Sequence, residues 1–209
     1  MLGMRSTTRA AHARKTPEGR RAEIALAARA IALEQGLDAV TQRAVAQRAG
    51  VTPALVAHYV VSMETLVADA FAAIVGEELR EVRDLAGAER DPVARLAIIL
   101  GTLLDGSRQE VTLVWVHAWA LGRRNELLAA AVRHQMDDWR ASIQEVLEAG
   151  ERSAAFTCPD PGATAWHILA MIDGLNAHAL VRWGAPAVQA RLLRRAVEPM
   201  LGLASGALG

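Results

Sequence analysis

From residue 17 onward, apolar side chains return every three to four positions and never in sustained alternation, so the spacing predicts helices and no strands. Ile24, Ala27, Ala28 and Ile31 share one face of a first helix. Thr16-Pro17-Glu18 opens it as cap, first helical residue and first-turn acid, and Gly36 ends it. A second helix after Thr41 places Val45, Ala46 and Ala49 together, and Gly50 closes it. Thr52-Pro53 opens a third, where proline loses no intrahelical bond. Residues 62–83 then present a broad face of Leu66, Val67, Ala70, Phe71, Ile74 and Val75, and the pattern stops after Ala86-Gly87. Asp91-Pro92 starts a helix running through 104, and 105–110 reads as a polar loop. Residues 111–121 are strongly apolar, 125–149 form a long amphipathic helix, and 150–159 break the pattern. Helices over 161–183 and 186–201 complete an all-α fold of about nine helices.

Within this series, residues 41–61 form two short helices around a glycine turn, the helix-turn-helix pattern, whose second helix enters the DNA major groove. The small Ala46 lets Val56 and Val51 pack back closely, and Leu37 and Val40 cover the same core. Three helices in so short a span are marginal alone, so this head needs support from the rest of the chain. The expected organisation is a disordered basic arm over 1–15, a DNA-binding head over 16–61, and a helical body over 62–209.

Charge sharpens this division. The chain is neutral overall, with 23 basic and 23 acidic residues. Residues 1–48 nevertheless hold nine basic groups against four acidic ones, leaving +5 there and −5 elsewhere. A basic N-terminal part carrying a helix-turn-helix fits a phosphate binder. For 1–15 alone, a solubilising arm is the plainer reading. Cys158 is the only cysteine, so neither an internal disulfide nor a cysteine-based zinc site is expected. The N-terminus has no apolar signal-peptide core, and the longest apolar runs are too short to span a bilayer; a cytoplasmic protein with no membrane partner is expected.

Gly50-Val51-Thr52, His58-Tyr59, Ser62, Glu64 and Leu66 resemble the DNA-binding domain of the TetR family of bacterial repressors. Ala54, Ala57, Val60 and Met63 depart from its pattern, standing where glycine, tyrosine or serine, phenylalanine and lysine are usual. The usual lysine supports a phosphate contact at the start of the fourth helix. The partners implied are double-stranded DNA, as a palindromic operator, and a second copy of the chain in a homodimer. Arg43, Thr41, Thr52 and Tyr59 are the candidate positioning contacts, flanked by Arg20 and Arg21. Gln42, Gln47, Pro53, Ala54, Ala57 and His58 complete the candidate DNA-binding set.

All five tryptophans lie in the second half of the chain. Trp115 and Trp119 share a helix face, as do His167, Met171, Gly174 and His178. Asp173 and Asn176 interrupt an otherwise apolar stretch, and burying such groups unpaired costs about 1–3 kcal/mol each. Apolar walls with a few placed polar groups describe a small-molecule pocket; the same spacing also describes a packed core or an interface. Trp115, Trp119, Trp139, His167, Met171, Asp173 and Asn176 are the candidate ligand-binding residues, and a tryptophan-rich wall near a carboxylate suits a cation or an aromatic compound. Ile172-Asp173-Gly174-Leu175 resembles a feature of the BetI-like C-terminal domain of TetR regulators. That resemblance implies an unidentified small-molecule effector, enclosed by inner helices, and a dimer formed by the last two long helices. Neither a cofactor nor a metal is expected; His134 and Asp138 read as an exposed ion pair.

The leading function is therefore a ligand-responsive repressor that an effector releases from its operator through the helix 62–83, which joins head to body. The alternatives are a helical dimer that binds small molecules without sequence-specific DNA binding, or an enzyme. Against an enzyme, the sequence has no glycine-rich phosphate loop, G-x-S-x-G elbow or H-E-x-x-H helix.

Overall fold

The computed structural model describes residues 16–209, and the basic arm over 1–15 lies outside the described residues. Among the described residues the chain forms nine α-helices and no strand. The head comprises α1 (Pro17–Gln35), α2 (Gln42–Arg48) and α3 (Pro53–Tyr59), with a single 3-10 turn, Leu37–Ala39, between the first two. The body comprises α4 (Met63–Gly87), α5 (Pro92–Leu104), α6 (Gln109–Gly122), α7 (Glu126–Arg152), α8 (Pro161–Leu180) and α9 (Pro186–Met200).

Local chemistry sets the head's boundaries. Thr16, Thr41, Thr52 and Ser62 each accept a hydrogen bond from a backbone N–H of the following first turn, at 3.1, 3.2, 3.3 and 3.0 Å. Gly36 (φ +94°) and Gly50 (φ +63°) take the positive-φ conformations that end α1 and turn α2 into α3. Val45, Ala46 and Val56 are fully buried with Ile24, Ala28, Ile31 and Leu37. This core continues without a break into the body through Phe71 of α4, whose side chain is wholly enclosed.

α4 packs along α7, α7 along α8, and α1 lies against α4 and α6, so the head rests on the body through two helices. Three boundaries differ from the sequence expectation. α4 continues past Arg83 to Gly87, because Arg83 donates to Ser142 Oγ of α7 at 3.1 Å and Ala86 is buried. α6 begins at Gln109, and its first turn includes part of the expected polar loop. α8 stops at Leu180, where Arg182 adopts φ +59°. Among the described residues no single helix is long and apolar enough to cross a membrane.

Candidate nucleic-acid interface and effector cavity

The α2–α3 unit presents most of the expected DNA-binding residues on one exposed surface. Thr52, Pro53, Ala54, Ala57 and His58 of α3 are exposed, as are Arg43 and Gln47 of α2. Tyr59 is half-buried, with its ring edge-on to His58 at 5.0 Å between centroids. Gln42 donates its side-chain amide to the Pro53 carbonyl at 2.7 Å, so it holds the start of α3 in place. Thr41 and Thr52 spend their oxygens as helix caps, which leaves each hydroxyl hydrogen free to donate outward.

Charge is scarcer on this surface than the sequence suggested. Arg20 pairs with Glu23 at 2.7 Å. Arg48 makes a two-pronged ion pair with Glu34, both contacts at 2.5 Å. That hydrogen bonding holds Glu34 below the ordinary carboxylate range and raises Arg48. Arg21 and Arg43 are exposed and make no ion pair.

In the body, α4, α6, α7 and α8, with the end of α5, line a narrow, partly open cavity. Trp115, Trp139, Asp173 and Asn176 line it, as do Glu78, Arg108, Thr112 and Met136. Glu78 is 7% exposed. Burial pushes its carboxyl up to about 7, against the pull of the Arg108 guanidinium and the Trp115 indole. Arg108 lies 3.9 Å from Glu78 and 3.0 Å from Glu81. Burial alone raises Asp173 to about 6, and no ion pair or hydrogen bond holds it. The Trp139 indole N–H is buried without a partner. The cavity thus combines apolar walls, two carboxyls that burial raises above their ordinary range, and buried N–H donors of Trp139 and Arg108 without partners.

The remaining expected pocket residues are not brought to this cavity. Trp119 packs behind Trp115, with ring centroids 5.8 Å apart. His167 is exposed. Met171 lines a shallow outer groove with Gly174, Leu175, His178 and Leu192. The physical reason is the rotation of α8. His167, Met171, Gly174 and His178 do share a face, but it points outward, while Leu169, Ile172, Asp173 and Asn176 turn inward. Glu78 was overlooked, although its spacing from Phe71, Ile74 and Val75 places it on the apolar face of α4. His134 and Asp138 face each other at 3.4 Å.

Two family models match the sequence. Residues 24–70 match bacterial regulatory proteins of the tetR family, and residues 92–202 match the C-terminal domain of BetI-type transcriptional repressors. No curated protein matches the chain. Three solved structures share the fold. A protein from Rhodococcus sp., described as a TetR-family transcriptional regulator, has 20% identity and a TM-score of 0.74, covering 88% of this chain and 99% of its own. A transcriptional regulator from Pseudomonas aeruginosa PAO1 has 22% identity and a TM-score of 0.73, covering 93% and 95%. One from Saccharomonospora viridis, in complex with choline, has 20% identity and a TM-score of 0.75, covering 85% and 94%. With a helix-turn-helix head, a helical body around a cavity, and family models matched over both, the chain belongs to the TetR family of transcriptional regulators and carries a BetI-type repressor C-terminal domain.

Proposed function

We propose that this regulator is a cytoplasmic homodimeric repressor that leaves a palindromic operator when a compact organic cation enters the cavity. The observation that carries the effector class is the lining itself. Trp115 and Trp139 offer aromatic surface, and the buried Glu78 and half-buried Asp173 are carboxyls that a cation would hold in their charged form. The choline complex of the similar Saccharomonospora viridis regulator supports the same chemistry. Arg108 already neutralises the Glu78 side, so Asp173 is the carboxyl with charge to offer.

The dimer reading rests on α8 and α9. Trp166, Val181, Trp183, Val188 and Leu192 are large apolar side chains left exposed there, beside the Met171–Leu192 groove. Two heads related by a two-fold axis then address half-sites about one DNA turn, or a multiple, apart. A ligand acts only through its different affinity for the DNA-bound and free arrangements.

Calorimetry with a panel of choline-like ammonium compounds, neutral isosteres and anions tests the effector class. The cations are expected to bind, with affinity reduced about tenfold or more in Trp115→Ala and Asp173→Asn, and to release the protein from duplex DNA. Equal binding of neutral isosteres would overturn the assignment.

A further inference from the structure

The head offers little free positive charge for the DNA it binds. Residues 49–61, which include the whole of α3, contain no Lys, Arg, Asp or Glu. Arg20, Arg29 and Arg48 are engaged by Glu23, Glu77 and Glu34. The first turn of α4 begins with Met63 and Glu64 and adds no cation. Among the described residues this leaves Arg21 and Arg43, whereas phosphate neutralisation supplies much of the affinity of a duplex binder.

The far end of α6 touches the head, and the α6–α7 turn that follows it touches the start of α4. His117 Nδ1 lies 3.1 Å from Asp38 Oδ1, with its ring against Gly36. Beyond the end of α6, the Asn125 side-chain amide donates to the Glu64 carbonyl at 3.2 Å. Glu64 is in the first turn of α4, whose cap Ser62 follows the reading helix closely in the chain. Directly before Asn125 come Arg123 and Arg124, both exposed and neither ion-paired. The α6–α7 turn therefore holds two free guanidinium groups beside the exit of the reading helix.

We infer that Arg123 and Arg124 bind backbone phosphates next to the groove that α3 enters, so the body supplies charge that the head lacks. The guanidinium fork suits phosphate oxygens and stays charged at any relevant pH. The same helix carries Thr112 and Trp115 on the cavity wall, so a ligand that displaces α6 also displaces this pair. The inference rests on the DNA-binding reading above. A competing role is purely local: cations at a helix C-terminus favour the helix dipole. That role affects melting and leaves the salt dependence of DNA binding unchanged.

Fluorescence anisotropy with the full chain and a mixed-sequence duplex, between about 50 and 200 mM salt, separates these outcomes. Each phosphate contact contributes about 0.9 to the slope of log K against log salt. Arg123→Gln/Arg124→Gln is expected to lower the slope by about 1 to 2 per protomer and weaken binding to every sequence alike. Arg123→Lys/Arg124→Lys is expected to retain the slope. Arg90→Gln makes a similar charge change beyond the opposite end of α4, whose 25 residues span roughly 37 Å, and should leave it unaltered. If the double glutamine variant melts early, the single variants give the same readout at about half the size. An unchanged slope in the glutamine variants, with wild type binding steeply, overturns this inference alone. Wild type that binds no duplex at any salt overturns the DNA-binding reading and this inference with it.

Discussion

His117 of α6 packs its imidazole so closely on Gly36 that a Cβ at that glycine would lie 2.4 Å from the ring. Gly36 also adopts φ +94° and ψ 165°, a region that only glycine occupies without strain. One residue thus answers two demands, a sharp exit from α1 and room for a body helix to press on the head. Gly36→Ala is expected to cost about 2–4 kcal/mol, from strain and overpacking together, read as a lower urea midpoint with unchanged m. Adding His117→Ala should recover the overpacking part and leave the strain. Strict additivity of the two substitutions would show that the ring and the glycine do not compete for space.

The buried carboxyl of Glu78 makes a pH prediction with a definite sign. In the folded chain it titrates at about 7, above its ordinary 4.5. Between those values the unfolded chain binds fewer protons than the folded one, so stability falls as pH rises through this window and levels off above it. The difference corresponds to on the order of 3 kcal/mol. Asp173, raised to about 6, acts in the same direction. Glu78→Gln should therefore melt higher than wild type at pH 8 and differ much less near pH 5. A larger stabilisation at pH 5 than at pH 8 would contradict the assignment.

Helix boundaries in the head were legible because each is fixed within a few residues. Thr16, Thr41, Thr52 and Ser62 cap their own first turns, and Gly36 and Gly50 supply their own φ. Four of the eleven cavity-lining residues were legible for a different reason: Trp115, Trp139, Asp173 and Asn176 are chemically conspicuous in an apolar body. Periodicity grouped His167 with Met171 correctly, but it carries no information on which face of α8 meets α7. The Arg48–Glu34 pair, which engages one of the basic groups counted in the N-terminal part, joins α2 to α1 and has no local sequence signature. Arg108 and Glu78 meet in the same way, across two helices distant in sequence.

Leu192 is 55% exposed and borders the outer groove of α8 and α9. If that face joins two copies, Leu192→Glu should place a charge in a desolvated contact and convert a dimer to a monomer at micromolar concentration, as read by light scattering. The single chain should keep its helical signal, because Leu192 lies outside the buried core. DNA affinity should fall steeply, since one head alone reads a half-site. A wild-type chain that is monomeric at that concentration would remove the dimer from the account.

The last expectation concerns how bases are read. Bidentate contacts, from Arg or Lys to guanine and from Asn or Gln to adenine, are the strongest direct readout, and α3 contains none of these residues. Pro53, Ala54 and Ala57 are exposed and offer only shape and apolar contact, which suits thymine methyl groups. Thr52 and His58 can each add a single hydrogen bond. Gln42 spends one of its two amide N–H donors on the Pro53 carbonyl, which fixes its orientation at the start of α3. Specificity should then rest on dimer spacing, on Gln42 and Gln47 of α2, and on the deformability of the site. A saturation series over one half-site should show losses nearer about 1 than 3 kcal/mol per mismatch. Arg43→Ala should weaken all sequences to a similar degree and reduce the salt slope by about 1, as a phosphate contact does. A single guanine whose replacement abolishes binding, with the loss traced to residues 52–59, would show that α3 reads bases by a contact its side chains do not provide in the free chain.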